Sequence, residues 1–256
     1  MAGTVTGAGA IRVRVARVQG SAPREVGAAM TVRADGQEGT IGGGRLEWEA
    51  AAEARAMLAE GRTERRRTIP LGPALGQCCG GTVTLSFAAI DRVEAAARVP
   101  LWIWGAGHVG RALAQVMAPL PGWAVTLVDF DTARLPDPLP DGVTPLIAAD
   151  PARLAPHAPT DADHLIVTHS HELDLALCDG LLRRGFASCG LIGSATKWAR
   201  FRKRLTALGH DTAQISRIAC PIGDPALGKH PHAIAVGVAA ALLRAPGQVQ
   251  GRMDTA

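Results

Sequence analysis

The sequence predicts an α/β protein in which a small N-terminal α/β domain precedes a Rossmann-type doubly wound parallel sheet. Three observations carry this. First, residues 101–110 read L-W-I-W-G-A-G-H-V-G, four apolar residues and then glycines at G-x-G-x-x-G spacing, with a helical stretch after them. Second, another apolar run, 124–128, ends at Asp129, about twenty residues beyond the glycines, where a carboxylate can accept hydrogen bonds from a ribose. Third, residues 91–100 alternate charge with alanine and stop at Pro100, separating that unit from an earlier strand-rich half. The expected organisation is a domain over 1–90, a linker over 91–99, the Rossmann-type domain over 100–246 and a flexible tail over 247–256.

Each glycine of the fingerprint has its own task. Gly105 permits the turn out of the strand, Gly107 lets a phosphate approach the backbone, and Gly110 lets the helix pack close to the sheet. His108 sits between them at the start of the helix. Strand, glycines, helix, second strand and carboxylate together specify the fold more strongly than the bound ligand, because such folds also hold phosphorylated ligands other than dinucleotides.

In the N-terminal half, 11–18 reads I-R-V-R-V-A-R-V, an alternation that slips only at Ala16 and predicts a half-buried strand. A strand over 29–32 and a turn at 34–36 follow. Gly42, Gly43 and Gly44 then run into an alanine- and glutamate-rich helix over 45–60. One glycine suffices for a turn, so three suggest a backbone N–H cradle for an anion. Strands are expected over 65–69 and 82–87. Between them lies L-G-Q-C-C-G-G, where Gln77, Cys78 and Cys79 suggest thiolate chemistry or contact with a soft metal or sulfur-bearing ligand; a strained vicinal disulfide is the alternative.

Beyond Asp129 the proline-rich connection 135–159 contains one short apolar piece at 145–148, and its prolines argue against a long helix. A strand over 164–168 leads to H-S-H-E-L-D and a helix to Arg184. His169 and His171 there are open to three readings: ligand contact, metal binding, or a structural loop with Ser170 capping the helix. A strand at 188–193 precedes a helix opened by Ser194 and Thr196. Trp198, Phe201, Leu205 and Leu208 form its expected core face, with Lys197, Arg200 and Arg204 on another. Gly193, Ser194 and Lys197 make a second candidate anion site. A glycine- and proline-shaped loop from Cys220 leads to a last helix, 231–243.

Composition bounds the partners. The chain has 256 residues, 47% apolar and 20% charged, and a net charge of +4 that does not by itself suggest nucleic acid. No apolar run reaches the length of a membrane span, and the first ten residues lack the basic start and apolar core of a signal peptide. Five cysteines with an adjacent pair make a poor secreted disulfide framework, so cytoplasm is the expected location.

Taken together, the segments G-S-A-P-R-E-V-G-A-A-M (20–30), G-T-I-G-G-G-R-L-E (39–47), L-G-Q-C-C-G-G (75–81), G-A-G-H-V-G-R-A-L (105–113), T-H-S-H-E-L-D (168–174), G-L-I-G-S-A-T-K (190–197), C-P-I-G (220–223) and G-K-H-P (228–231) resemble the XdhC/CoxI accessory proteins of xanthine and related molybdenum dehydrogenases. The resemblance covers most of the chain in order. It implies an accessory protein rather than a catalyst: a chaperone that takes molybdenum cofactor (molybdopterin) from donor proteins and protects it. The family then permits a cysteine desulfurase to exchange an oxo for a sulfido ligand, and inserts the cofactor into apo-xanthine dehydrogenase or a related enzyme. It also implies a homodimer. On this reading the cofactor-binding residues are Gly42, Gly43, Gly44, Gln77, Cys78, Cys79, Gly105, Gly107, His108, Gly110, Asp129, His169, His171, Gly193, Ser194 and Lys197, with Cys78 and Cys79 near molybdenum or its sulfido ligand. Two departures are visible: the first strand begins after ten residues where relatives carry a leading helix, and Ala195 stands where a basic residue is expected. The competing readings are an NAD(P)-dependent oxidoreductase with His169 or His171 as acid/base, and a regulatory nucleotide-binding module.

Overall fold

The computed structural model describes residues 9–72, 80–90, 98–120 and 122–245. They form two compact units, 9–90 and 98–245.

The first unit is an antiparallel sheet of five strands, β1 (Ala10–Gln19), β2 (Ala29–Val32), β3 (Gln37–Gly39), β4 (Glu64–Pro70) and β5 (Thr82–Ile90), in the order β3-β2-β1-β5-β4, with one helix, α1 (Gly44–Ala59). Alternation decides the faces. Ile11, Val13 and Val15 of β1 pack with Val83, Leu85 and Phe87 of β5 and with Leu46, Ala50, Ala54 and Met57 of α1. The slip at Ala16 is a β-bulge: the register steps from Val15 opposite Leu85 to Arg17 opposite Thr84, which keeps Val18 opposite Val83 on the apolar face. Strand β3, whose side chains are polar and exposed, carries no apolar period and was not expected.

The second unit is a wholly parallel sheet of six strands: β6 (Val99–Trp104), β7 (Trp123–Asp129), β8 (Val143–Ile147), β9 (Asp163–Ile166), β10 (Ser188–Leu191) and β11 (Ile218–Ala219). Their order is β11-β10-β9-β6-β7-β8, so successive strands wind outward in one direction from β6 and then in the other from β9. The reversal between β6 and β9 is the place where such sheets take ligands, beyond the strands' carboxyl ends. The helices are α2 (His108–Met117), α3 (His171–Arg184), α4 (Ala195–Ala207), α5 (Thr212–Ser216) and α6 (Pro231–Arg244). Leu101 and Ile103 of β6 share a core with Leu113 and Met117 of α2 and Val238 of α6. Trp104, on the opposite face, joins Ile166, Leu177, Leu181 and Phe201 from β9, α3 and α4.

Pro145 does not exclude β8 from the sheet because β8 is an edge strand, where a missing N–H costs no ladder bond on the open side. The short α5 was also not expected; it is held by a capping box in which Asp211 and Gln214 bond each other's backbone N–H. On α4 the expected faces need correcting: Phe201 and Leu205 are buried, Leu208 is 45% exposed, and Lys197 is buried with the core side chains.

Candidate functional site

The fingerprint glycines fall into two kinds. Gly105 has φ +110°, and a Cβ there would lie 2.9 Å from the carbonyl oxygen of Val167. A Cβ at Gly110 would run into the carbonyl oxygen of Gly105. These two are demanded by the turn and by the approach of α2 to β6 and β9. Gly107 is different. Its φ is −72°, and a Cβ would meet nothing nearer than Arg134 Nη2 at 3.9 Å. The fold has no need of glycine at 107; the space above it is what glycine keeps clear. The same residue is the N-cap of α2 and supplies no side-chain acceptor, which leaves the first-turn N–H groups pointing out of the helix at its positive end.

Asp129 is engaged by the chain itself. It is 3% exposed, and its carboxylate accepts from Ala106 N (2.5 Å), Phe130 N (2.8 Å) and Arg134 Nε (3.2 Å). The carboxylate ties the glycine loop to the end of β7 and anchors a guanidinium. Arg134 lies over the Phe130 ring, 5.2 Å from its centroid. Arg111 completes the arrangement, donating to the carbonyl oxygens of Ala106 (2.9 Å) and Arg134 (2.8 Å). The sequence assigned no role to either arginine, although Arg111 lies within the 105–113 motif. One signal was present: between Arg111 and Arg153 the sequence has no basic residue except Arg134.

Around this loop opens a depression of about 250 Å³, solvent space included, lined by Trp104, Gly105, Val128, Asp129, Phe130, Pro151, Thr168, His169 and Leu173. Its lining is more apolar than polar, and on it the centroids of the Phe130 and His169 rings lie 5.9 Å apart. Of the two histidines read from the sequence, only His169 lines it; the His171 ring packs edge-on against Phe201 at 6.5 Å. Ser170 caps α3 through Leu173 N. Among the described residues no group of three or more metal-ligating side chains occurs, and His108 is exposed at the start of α2.

Known proteins share both units. Residues 101–242 match the XdhC Rossmann domain and residues 5–69 match the XdhC and CoxI family. The chain belongs to the XdhC and CoxI family. It is 31% identical over 241 residues to the uncharacterized protein YqeB of Escherichia coli, an alignment covering 91% of this chain and 43% of YqeB. It is 38% identical over 85 residues to the molybdenum cofactor insertion chaperone PaoD of the same organism, covering 32% of this chain and 27% of PaoD. The chain thus spans less than half the length of the curated relatives it matches. In fold it is similar to a crystal structure described as a xanthine dehydrogenase from Bacillus halodurans, with a TM-score of 0.74 at 17% identity over 98% of this chain and 96% of that one.

The other family motifs are largely engaged within the chain. Gly42, Gly43 and Gly44 have φ of +126°, +72° and +62°, so the turn needs all three; a single glycine would not do. The anion at their N–H groups is the protein's own. Glu47 Oε2 accepts from Ile41 N (2.9 Å), Gly43 N (3.0 Å) and Thr40 Oγ1 (2.5 Å), and Oε1 accepts from Gln37 Nε2 (3.1 Å). Burial pushes this carboxyl up, and the bonds from Thr40, Gly43, Ile41 and Gln37 outweigh it, holding it below its usual value.

The second anion candidate is likewise turned inward. Lys197 Nζ donates to Asp174 Oδ2 (2.5 Å) and to the Ile192 carbonyl oxygen (2.9 Å), while Thr168 Oγ1 donates to Asp174 Oδ1 (2.6 Å). A Cβ at Gly193 would lie 2.7 Å from Lys197 Cδ, so that glycine makes room for the lysine stem. Ser194 accepts from Lys197 N and caps α4. The group ties the loops after β9 and β10 together beside the depression. Cys220, half-buried nearby, has its thiol pushed up to about 11 by burial, with Lys197 opposing, and is protonated at neutral pH. Gln77, Cys78 and Cys79 lie outside the described residues.

Proposed function

We propose that this chain is an accessory protein in the maturation of a molybdenum hydroxylase: it binds molybdenum cofactor as cargo, protects it, and inserts it into apo-xanthine dehydrogenase or a related enzyme after a cysteine desulfurase has exchanged oxo for sulfido. The observation that carries the reading is the space held open over Gly107 at the uncapped start of α2, beside the Arg134 guanidinium. Backbone N–H groups at a helix start and a planar guanidinium are the donors a phosphate monoester takes. Phe130 and His169 line the depression beside that space and are assigned to the pterin; as a separate proposal, Cys78 and Cys79 carry thiolates of the kind a soft metal such as molybdenum accepts. Membership of the XdhC and CoxI family and likeness to PaoD support the same assignment. We place the protein in the cytoplasm as a homodimer; among the described residues no helix is long and apolar enough to cross a membrane.

An NAD(P)-dependent oxidoreductase is disfavoured by Asp129. The carboxylate that would select a ribose is buried and already accepts from three donors. Trp104 lines the depression and reports on both readings through its fluorescence. Titration with molybdenum cofactor is expected to quench it in the wild type, and Gly107→Ala to weaken that binding by roughly tenfold or more, about 1.4 kcal/mol, with an unchanged melting curve. Quenching by NAD with hydride turnover, and none by molybdenum cofactor, would overturn the proposal.

A further inference from the structure

The face of the N-terminal sheet turned away from α1 is basic, and nothing in the proposed cofactor site uses it. Since Ile11, Val13 and Val15 face α1, Arg12 and Arg14 of β1 face the other way, and the bulge at Ala16 returns Arg17 to that side. On β4 the same alternation separates neighbours. Arg65 and Arg67 pair with Glu53 and Glu49 of α1, while Arg66 projects from the opposite face. Register aligns these residues in rungs: Arg14–Ser86–Arg66, Arg17–Thr84–Thr68 and Arg12–Ala88–Glu64. Arg14 and Arg66 are therefore two strand spacings apart, about 10 Å, and successive rungs are about 7 Å apart. Between the arginines stand only the small side chains Ser86, Thr84, Thr68 and Ala88, which leave the guanidiniums the most prominent groups.

Arg14, Arg17 and Arg66 are exposed and Arg12 half-buried. No carboxylate lies within ion-pair reach of Arg12, Arg17 or Arg66 among the described residues, and Glu64 is the one acidic side chain on this face of the three strands. β1 is the central strand of the sheet, the position at which a covering apolar layer would call for valine or isoleucine. Arginine there fits a surface that meets carboxylates, because guanidinium–carboxylate pairs offset the desolvation that an apolar cover would impose.

We propose that this face docks an acidic segment of a protein partner. Single-stranded nucleic acid fits it less well, since among the described residues no aromatic side chain stands between the arginines on these strands to stack on a base. A patch of this extent is well below the roughly 800 Å² per partner of a stable interface, so the contact is transient and salt-sensitive. The inference is independent of which cofactor the Rossmann unit holds.

The test uses the full chain and a fluorescein-labelled hexaglutamate peptide, followed by anisotropy at low and high salt. Wild type is expected to bind at low salt and release at high salt. The triple variant Arg12→Glu, Arg17→Glu, Arg66→Glu is expected to lose at least about tenfold in affinity. A control with Arg200→Glu, Arg202→Glu and Lys203→Glu on the exposed side of α4 should stay close to wild type. Circular dichroism and hydrogen exchange of α1 confirm that the triple variant keeps its fold, and single reversals at Arg17 and Arg66 replace it if it does not. Absence of peptide binding by the wild type, equal losses in the two triple variants, or tighter binding of an oligothymidylate than of the peptide would each overturn the proposal.

Discussion

The self-occupied cradle at the start of α1 makes a quantitative prediction for Glu47→Gln. In the wild type one carboxylate receives two backbone N–H groups and two side-chain donors. Glutamine keeps one acceptor oxygen and turns an NH₂ group toward N–H donors that now lack a partner. Ile41 is 1% exposed, so its N–H has no access to compensating water, whereas the half-buried Gly43 recovers part of its loss. At about 1.5–3 kcal/mol for a charge-assisted bond and less where water substitutes, the start of α1 loses about 2–4 kcal/mol. That corresponds to a fall of roughly 30- to 1000-fold in protection of the first-turn α1 amides. The carboxyl is held below its ordinary value in the fold, so its contribution is fully present above about pH 4.5 and is lost as pH falls through the folded value. The glutamine variant should lack that acid-dependent component. Unchanged α1 exchange in Glu47→Gln, or added phosphate that stabilises the wild-type loop by displacing Glu47, would refute the reasoning.

Three further outcomes follow from buried groups. Lys197→Met leaves Asp174, 0% exposed, without its cation; we expect about 3–5 kcal/mol of destabilisation, with much of it recovered when Asp174→Leu is added, measured by urea unfolding. His164 accepts from the donor-only Trp104 Nε1–H at Nδ1 (3.3 Å), which fixes the neutral ring with its proton on Nε2, and burial lowers its pKa to about 4, with Asp163 and the Pro159 backbone opposing. The unfolded chain therefore binds the extra proton first. Stability should decline by about 3 kcal/mol as pH falls from 6.5 to 4, and a flat difference between wild type and His164→Gln over that window would count against it. Gly110→Ala should fail to fold because its Cβ has no room beside Gly105, unlike Gly107→Ala; a soluble Gly110→Ala protein with wild-type melting would contradict the geometry.

Local alternation and spacing carried most of the fold. The I-R-V-R-V-A-R-V run disclosed the strand and the slip at Ala16, where the structure has a bulge that keeps Val18 on the apolar face. The glycine fingerprint located β6, α2 and β7 in the same way. What escaped was set by tertiary context. Strand β3 is polar, β8 contains proline at an edge, and both form because a neighbouring strand offers hydrogen bonds. Site chemistry was harder to read, because a residue type announces what it can bind and not whether the chain already binds it. Lys197 looks like part of a solvated basic face by helical spacing; only the fold brings Asp174 from α3 beneath it. Asp129 stands at the ribose position, yet Arg134, five residues on, turns it into an anchor.

Hydrogen-bond partners also separate the three helix starts that the sequence marked for anions. At α1 the N–H groups of Ile41 and Gly43 bond Glu47. At α4 the first turn is capped by Ser194, and Lys197 is neutralised by Asp174. At α2 the N-cap is a glycine without a side-chain acceptor, its Cβ direction is open, and a guanidinium stands at the edge of that space. Helix starts left without an acceptor favour an anion by the sum of their N–H dipoles. The α2 start is where a ligand phosphate gains most, because there it displaces water and no protein carboxylate. For this reason we rank Gly107 above Gly43 and Lys197 as the residue whose substitution separates binding from folding.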